Sequence, residues 1–142
     1  MLLNAYLTFD GDCRAAFECY QRCLGGEIVA MHTYGEAPAE MAMPATAHDK
    51  IMHARLVVDG QVLMGSDTMP DCPAPYEGIK GISLTLGVDT PEEAERLFAA
   101  LADDGTVQMP LEETFWARRF GMLVDRFGVA WMINCEKEAP PS

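Results

Sequence analysis

Apolar and polar residues alternate along this chain with two different periods, and the order in which the periods follow one another occurs twice. Ala94, Leu97, Phe98 and Leu101 recur at helical spacing and predict one buried helix face. Thr90-Pro91-Glu92-Glu93 opens that helix with an N-cap, a proline at the first helical position and the glutamate of a capping box, and Gly105 stops it. An earlier helix starts at the cap Asp12, carries Ala16, Phe17, Tyr20 and Leu24 on one face, and ends at Gly25-Gly26.

Strand-like runs surround both helices. Residues 2–9 lead into the first and 27–34 follow it. Residues 35–49, rich in Ala, Pro and Met, read as a loop. Residues 50–58 and 61–66 predict a hairpin about Asp59-Gly60, a pair suited to a tight two-residue turn. The second half repeats the plan, with strands at 81–88, 107–115, 117–124 and 129–135 and Phe127-Gly128 at the equivalent hairpin. Aligned on the caps, Asp12 matches Thr90, Ala16 matches Ala94, Tyr20 matches Phe98, and Gly60 matches Gly128. The prediction is an α+β domain over residues 1–142 built from two βαβββ modules, about 1–67 and about 81–136, joined by a proline-bearing linker at about 68–80. A ferredoxin-like order would place only two strands between the helices, which is too few for this pattern.

A chain of 142 residues can bury one sizeable core, and 49% hydrophobic with 23% charged residues is ordinary globular composition. The formal charge of -12 makes nucleic acid and anionic membrane poor partners. The N-terminus shows no basic segment followed by an apolar core, and no apolar run is long enough to span a bilayer. The five cysteines, Cys13, Cys19, Cys23, Cys72 and Cys135, are odd in number and form no C-x-x-C pair, which suits reduced thiols in the cytoplasm. Cys19 and Cys23 stand at i, i+4 and could reach one metal together, although no histidine lies near them in sequence; the plainer reading is that small thiols fill helix positions.

Several runs are distinctive: residues 6–11 with Tyr20 and Leu24-Gly25-Gly26, then His53-Ala54-Arg55 and residues 63–67. Glu113-Thr114-Phe115-Trp116-Ala117, Phe120-Gly121 and residues 125–134 complete the set, and the last run is the most specific. Together they resemble the vicinal oxygen chelate superfamily, which includes glyoxalase I, extradiol dioxygenases and the bleomycin and fosfomycin resistance proteins, and within it the PhnB-like group. The resemblance spans nearly the whole chain. It implies a curved sheet in each module, helices outside, a cavity on the concave side, and frequent completion of that cavity in a homodimer.

The resemblance also implies where a divalent metal would be held: one ligand, usually His or Glu, on the first and last strand of each module. Counted seven residues before each helix cap and four after each hairpin glycine, those places are Ala5, Ser83, Met64 and Met132. Alanine cannot ligate, serine rarely does, and thioethers prefer soft Cu(I) to Mg, Mn, Fe or Zn. No metal site and no cofactor is expected. His32 and Glu36 do not restore one if both lie on a strand, because four strand residues span about 13 Å.

His53 and Arg55 alternate with the apolar set Met52, Ala54, Leu56 and Val58. The apolar set is expected to pack on a helix, leaving His53 and Arg55 on the concave side as a base or anion-binding pair; the plainer reading is a hydrogen-bonded surface pair. Glu113, Phe115 and Trp116, with Arg118 and Arg119 nearby, could form a pocket mouth or an ordinary strand turn. Trp131 is out of phase with Met132 and reads as core. Relatives of the PhnB-like group have carried a ubiquinone-methyltransferase label. This sequence has neither a glycine-rich strand-to-helix loop nor the βαβα alternation of a dinucleotide fold. The leading expectation is a metal-free small-molecule-binding protein, homodimeric and cytoplasmic. The rival is a lyase, isomerase or dioxygenase-type enzyme using His53 or Glu113, or a metal at other positions.

Overall fold

A computed structural model describes residues 1–37, 45–69 and 75–137. The chain divides into two compact units, Met1–Gly78 and Ile79–Ser142. In the first, β1 (Ala5–Phe9) leads to α1 (Cys13–Leu24), then β2 (Glu27–Thr33), β3 (Ile51–Val58) and β4 (Gln61–Asp67). The sheet order is β1-β4-β3-β2, with β1 parallel to β4 and the other pairs antiparallel.

α1 buries Ala16, Phe17 and Tyr20, and the sheet face beneath it supplies Leu7, Phe9, Ala54 and Leu56, all 4% exposed or less. Full burial of a ring such as Phe17 stabilises by about 1.5–3 kcal/mol. Gly65 lets that ring down onto the sheet: a Cβ there would stand 2.8 Å from Phe17 Cε1 and 2.8 Å from the Leu7 carbonyl oxygen. Asp59 and Gly60 both adopt positive φ, 49° and 76°, as a two-residue hairpin turn with right-handed strand twist requires.

The start of α1 differs from the sequence expectation. Asp12 makes no side-chain cap bond. Asp67, 2% exposed at the end of β4, takes that role: Oδ1 accepts from the amides of Gly11 at 2.8 Å and Cys13 at 3.0 Å, and Oδ2 from the Ile51 amide at 2.8 Å. Its backbone carbonyl accepts from the Tyr34 hydroxyl at 2.9 Å. A buried carboxylate is tolerable here because several donors replace its water.

The second unit comprises β5 (Leu84–Gly87), α2 (Pro91–Ala102), β6 (Thr106–Glu112), β7 (Ala117–Val124) and β8 (Ala130–Glu136), ordered β5-β8-β7-β6. β5 runs parallel to β8, as β1 does to β4. α2 buries Ala94, Leu97 and Leu101, and the core around it holds Leu123, Trp131, Ile133 and Cys135. Thr90 Oγ1 accepts from the Glu93 amide at 3.1 Å, but the Glu93 carboxylate turns to Arg96 at 2.6 Å rather than back to the cap. The N-cap is therefore present and the reciprocal half of the capping box is not.

The ends of elements also shift. Leu2 and Leu3 are 83% and 99% exposed, so β1 begins only at Ala5. β6 stops at Glu112, because Thr114 turns the chain: its amide donates to the Ala117 carbonyl and its Oγ1 accepts from the Ala117 amide, each at 3.0 Å. Within the expected loop, Tyr34–Glu36 and Ala45–Ala47 form single 3-10 turns. Among the described residues no helix is long and apolar enough to cross a membrane.

Candidate functional site

Each sheet has one face under its helix and one facing away, and strand register assigns the candidates that lie in strands to a face. In the first unit Tyr6 pairs with Met64, Met64 with Arg55, and Arg55 with Ala30. These four form one row across the face away from α1. Thr8 and Ser66 pair on the same face, and His53 pairs with His32. The Tyr6 hydroxyl lies 3.4 Å from His53 Nδ1, and the two rings stack with centroids 6.0 Å apart. Arg55 is half-buried, and among the described residues no carboxylate forms an ion pair with it. The cluster therefore offers a phenol, an imidazole and an uncompensated guanidinium beside one another, a set able to hold an anionic or hydroxylated group.

The corresponding row of the second unit runs Thr85, Met132, Met122, Met109. Phe120 continues that face beside Asn134, and Trp116 packs edge-on against Phe120 with centroids 5.3 Å apart. Trp116 is 45% exposed and Phe115 89%. This face is soft and apolar where the first is polar.

The register corrects two positions. Ala5 pairs with Leu63 on the helix-side face, so the residue that shares a face with Met64 is Tyr6. Ser83 precedes β5, and the partner of Met132 is Thr85. The cause is the connection to the helix. Leu7, opposite Gly65, lies five residues before Asp12, whereas Leu86, opposite the equivalent Ile133, lies four before Thr90. A count of seven overshoots in both modules, because Tyr6 lies six residues before Asp12 and Thr85 five before Thr90. Parity with buried Leu7 and Phe9 is the signal that singles out Tyr6.

Glu113 and Phe115 lie exposed in the β6–β7 turn. The two arginines beside them are engaged in the fold. Arg118 donates to the carbonyls of Glu136 at 3.0 Å and Asp89 at 2.6 Å, and Arg119 reaches Glu95 on α2 at 3.3 Å. Among the described residues neither forms an ion pair with Glu113. The expected 13 Å between His32 and Glu36 is also corrected: the chain leaves β2 at Thr33 and turns, which brings Glu36 Oε2 to 3.6 Å from His32 Nδ1. Trp131 is buried, 2% exposed, with its indole N–H on Asp125.

A divalent metal of the superfamily kind finds poor ligands at these positions. Tyr6 with Met64, or Thr85 with Met132, offers one oxygen and one thioether, a poor match for a hard or borderline ion. Among the described residues no three His, Cys, Asp or Glu side chains come together to hold an ion. At the strand-to-helix turns, Asp67 already accepts from the Cys13 amide that opens α1, and Thr90 Oγ1 from the Glu93 amide of α2.

Comparison with known proteins places this architecture. The family model described as 3-demethylubiquinone-9 3-methyltransferase matches residues 3–134. Protein YjdN of Escherichia coli is 40% identical, with 99% of each chain covered. The crystal structure of protein PA1353 from Pseudomonas aeruginosa is 56% identical over 97% of this chain and 99% of that one, with a TM-score of 0.88. A Bacillus cereus structure titled a putative 3-demethylubiquinone-9 3-methyltransferase, PhnB protein, is 26% identical over 95% and 99% of the two chains, with a TM-score of 0.77. The fold, though little of the sequence, is shared with a glyoxylase/bleomycin resistance protein/dioxygenase domain and with a fosfomycin resistance protein. This chain thus belongs to the family described as 3-demethylubiquinone-9 3-methyltransferase, the PhnB-like group of the vicinal oxygen chelate superfamily.

Proposed function

We propose that this chain is a small-molecule-binding protein that works without the superfamily's divalent metal and holds its ligand on the sheet face carrying Tyr6, His53, Arg55 and Met64. The observation that supports this most directly is the Tyr6–His53 contact at 3.4 Å beside an Arg55 that forms no ion pair with a described residue. A half-buried guanidinium left without a carboxylate is costly unless a ligand or water compensates it. The ligand class that follows is a small molecule bearing a carboxylate, phosphate or acidic hydroxyl, with Met64 beside it for an apolar portion.

The same Tyr6–His53 contact supports the rival reading, an isomerase, lyase or dioxygenase-type enzyme in which His53 moves a proton and Tyr6 orients it. Methyl transfer is not proposed, because the sequence has no glycine-rich strand-to-helix loop to cradle a nucleoside-bearing donor. We further propose a homodimer in the cytoplasm, in keeping with closed pairs as the commonest assembly and with thiols that stand unbridged at 3.9 Å.

Native mass spectrometry of the purified protein, joined to elemental analysis, tests the reading. The expected result is a small organic molecule on the chain and no stoichiometric Zn, Mn, Fe or Ni. About one such ion per chain that survives gentle chelation would overturn it.

A further inference from the structure

We propose that Cys19 and Cys23 form a two-thiolate site for a soft copper(I) ion on α1, apart from the face described above. Their sulfurs lie 3.9 Å apart, one helical turn from each other. Two metal–sulfur bonds of about 2.3 Å would hold sulfurs about 3.8 Å apart at a tetrahedral angle and about 4.0 Å apart at a trigonal one. The pair is thus already spaced for one ion, without a backbone shift. Cys19 is half-buried and Cys23 is 9% exposed at the edge of the helix's packed stripe, so an ion can enter from the Cys19 side.

The donor set selects the ion. Zinc needs four ligands, and among the described residues no third His, Cys, Asp or Glu joins a pair to make a site. Hard ions need oxygen. Thiolates select Cu(I), and at this near-trigonal spacing the pair supplies two of three soft ligands, the third coming from a small thiol in solution. Binding is a simple exchange: each thiol releases its proton to solvent as a Cu–S bond forms, giving an anionic bis-thiolate with no change of oxidation state. The other described cysteines do not compete. Cys13 and Cys135 are fully buried, and burial pushes the Cys13 thiol up to about 12, which keeps it protonated and inert.

The experiment titrates the fully reduced chain with Cu(I), supplied anaerobically as its acetonitrile complex, against a chromophoric Cu(I) chelator. The expected result is one copper retained per chain with a thiolate-to-copper charge-transfer band in the ultraviolet. Cys19→Ser and Cys23→Ser should each weaken retention about 100-fold, while Cys72→Ser keeps it. If Cys23→Ser fails to fold, the half-buried Cys19→Ser carries the test. Retention unchanged in Cys19→Ser, or no copper held by the native chain once its thiols are shown to be reduced, would overturn the proposal.

Discussion

The indole N–H of Trp131 donates to Oδ2 of Asp125 at 2.8 Å, while Oδ1 of the same carboxylate accepts from the amides of Phe127 at 2.8 Å and Val129 at 3.0 Å. Both residues are buried, at 2% and 5% exposed for Trp131 and Asp125. One carboxylate therefore shapes the β7–β8 hairpin and anchors the largest core side chain. Asp125→Ala strips three donors of their acceptor and should cost about 3–5 kcal/mol in urea unfolding. Trp131→Phe removes the indole donor from Oδ2 and should cost about 1–3 kcal/mol. A double-mutant cycle giving no coupling between them would contradict the relationship.

His53 contacts an exposed phenol on the face away from α1, and its loss opens no core cavity. His53→Ala should change stability by less than about 1 kcal/mol and weaken any ligand found on the native protein about tenfold. Loss of more than about 2 kcal/mol with unchanged ligand affinity would mark the residue as structural.

Base should destabilise the first unit through Cys13. Burial, then the charge of Asp67, raises its thiol from 9.0 to about 12. The unfolded chain gives up this proton at the lower value and the folded chain only at the higher. The contribution is complete below pH 9.0 and is lost as pH rises toward about 12, at up to about 1.4 kcal/mol per pH unit. Stability measured against pH for native chain and Cys13→Ala should converge across that interval, and parallel curves would refute the assignment.

The proposed homodimer predicts a dimer mass in sedimentation at micromolar concentration, persisting under reducing conditions because no disulfide is invoked. A monomer mass would refute it.

Much of the fold was legible because its signals are local. Thr90-Pro91 fixes the start of α2, Asp59-Gly60 fixes one hairpin, and Ala54 and Leu56 against His53 and Arg55 fix the faces of β3. What escaped depended on residues far apart in sequence. That α1 is capped by Asp67 rather than Asp12 cannot be read from spacing, because the carboxylate arrives from the far end of β4. That Tyr6 rather than Ala5 accompanies Met64 follows from strand register, and the two modules differ in the length of the strand-to-helix connection, so no single count from the caps finds both positions. The turn that folds Glu36 back to His32 lies in a stretch with no periodicity at all.

The two buried carboxylates, Asp67 and Asp125, give the repeated modules different histories in time. The Asp125 carboxylate accepts from Phe127, Val129 and Trp131, all within six residues of it, so these bonds can form as soon as that segment of chain exists. Asp67 gathers amides 16, 54 and 56 residues away; that of Ile51 comes within reach with the β3–β4 hairpin, but those of Cys13 and Gly11 only once β1 has closed on β4. A duplicated architecture is thus expected to assemble unevenly, the second hairpin early and the first module's seam last. Pulse-labelled hydrogen exchange would see this as protection of the Val129 amide before that of Cys13, and the reverse order would refute it.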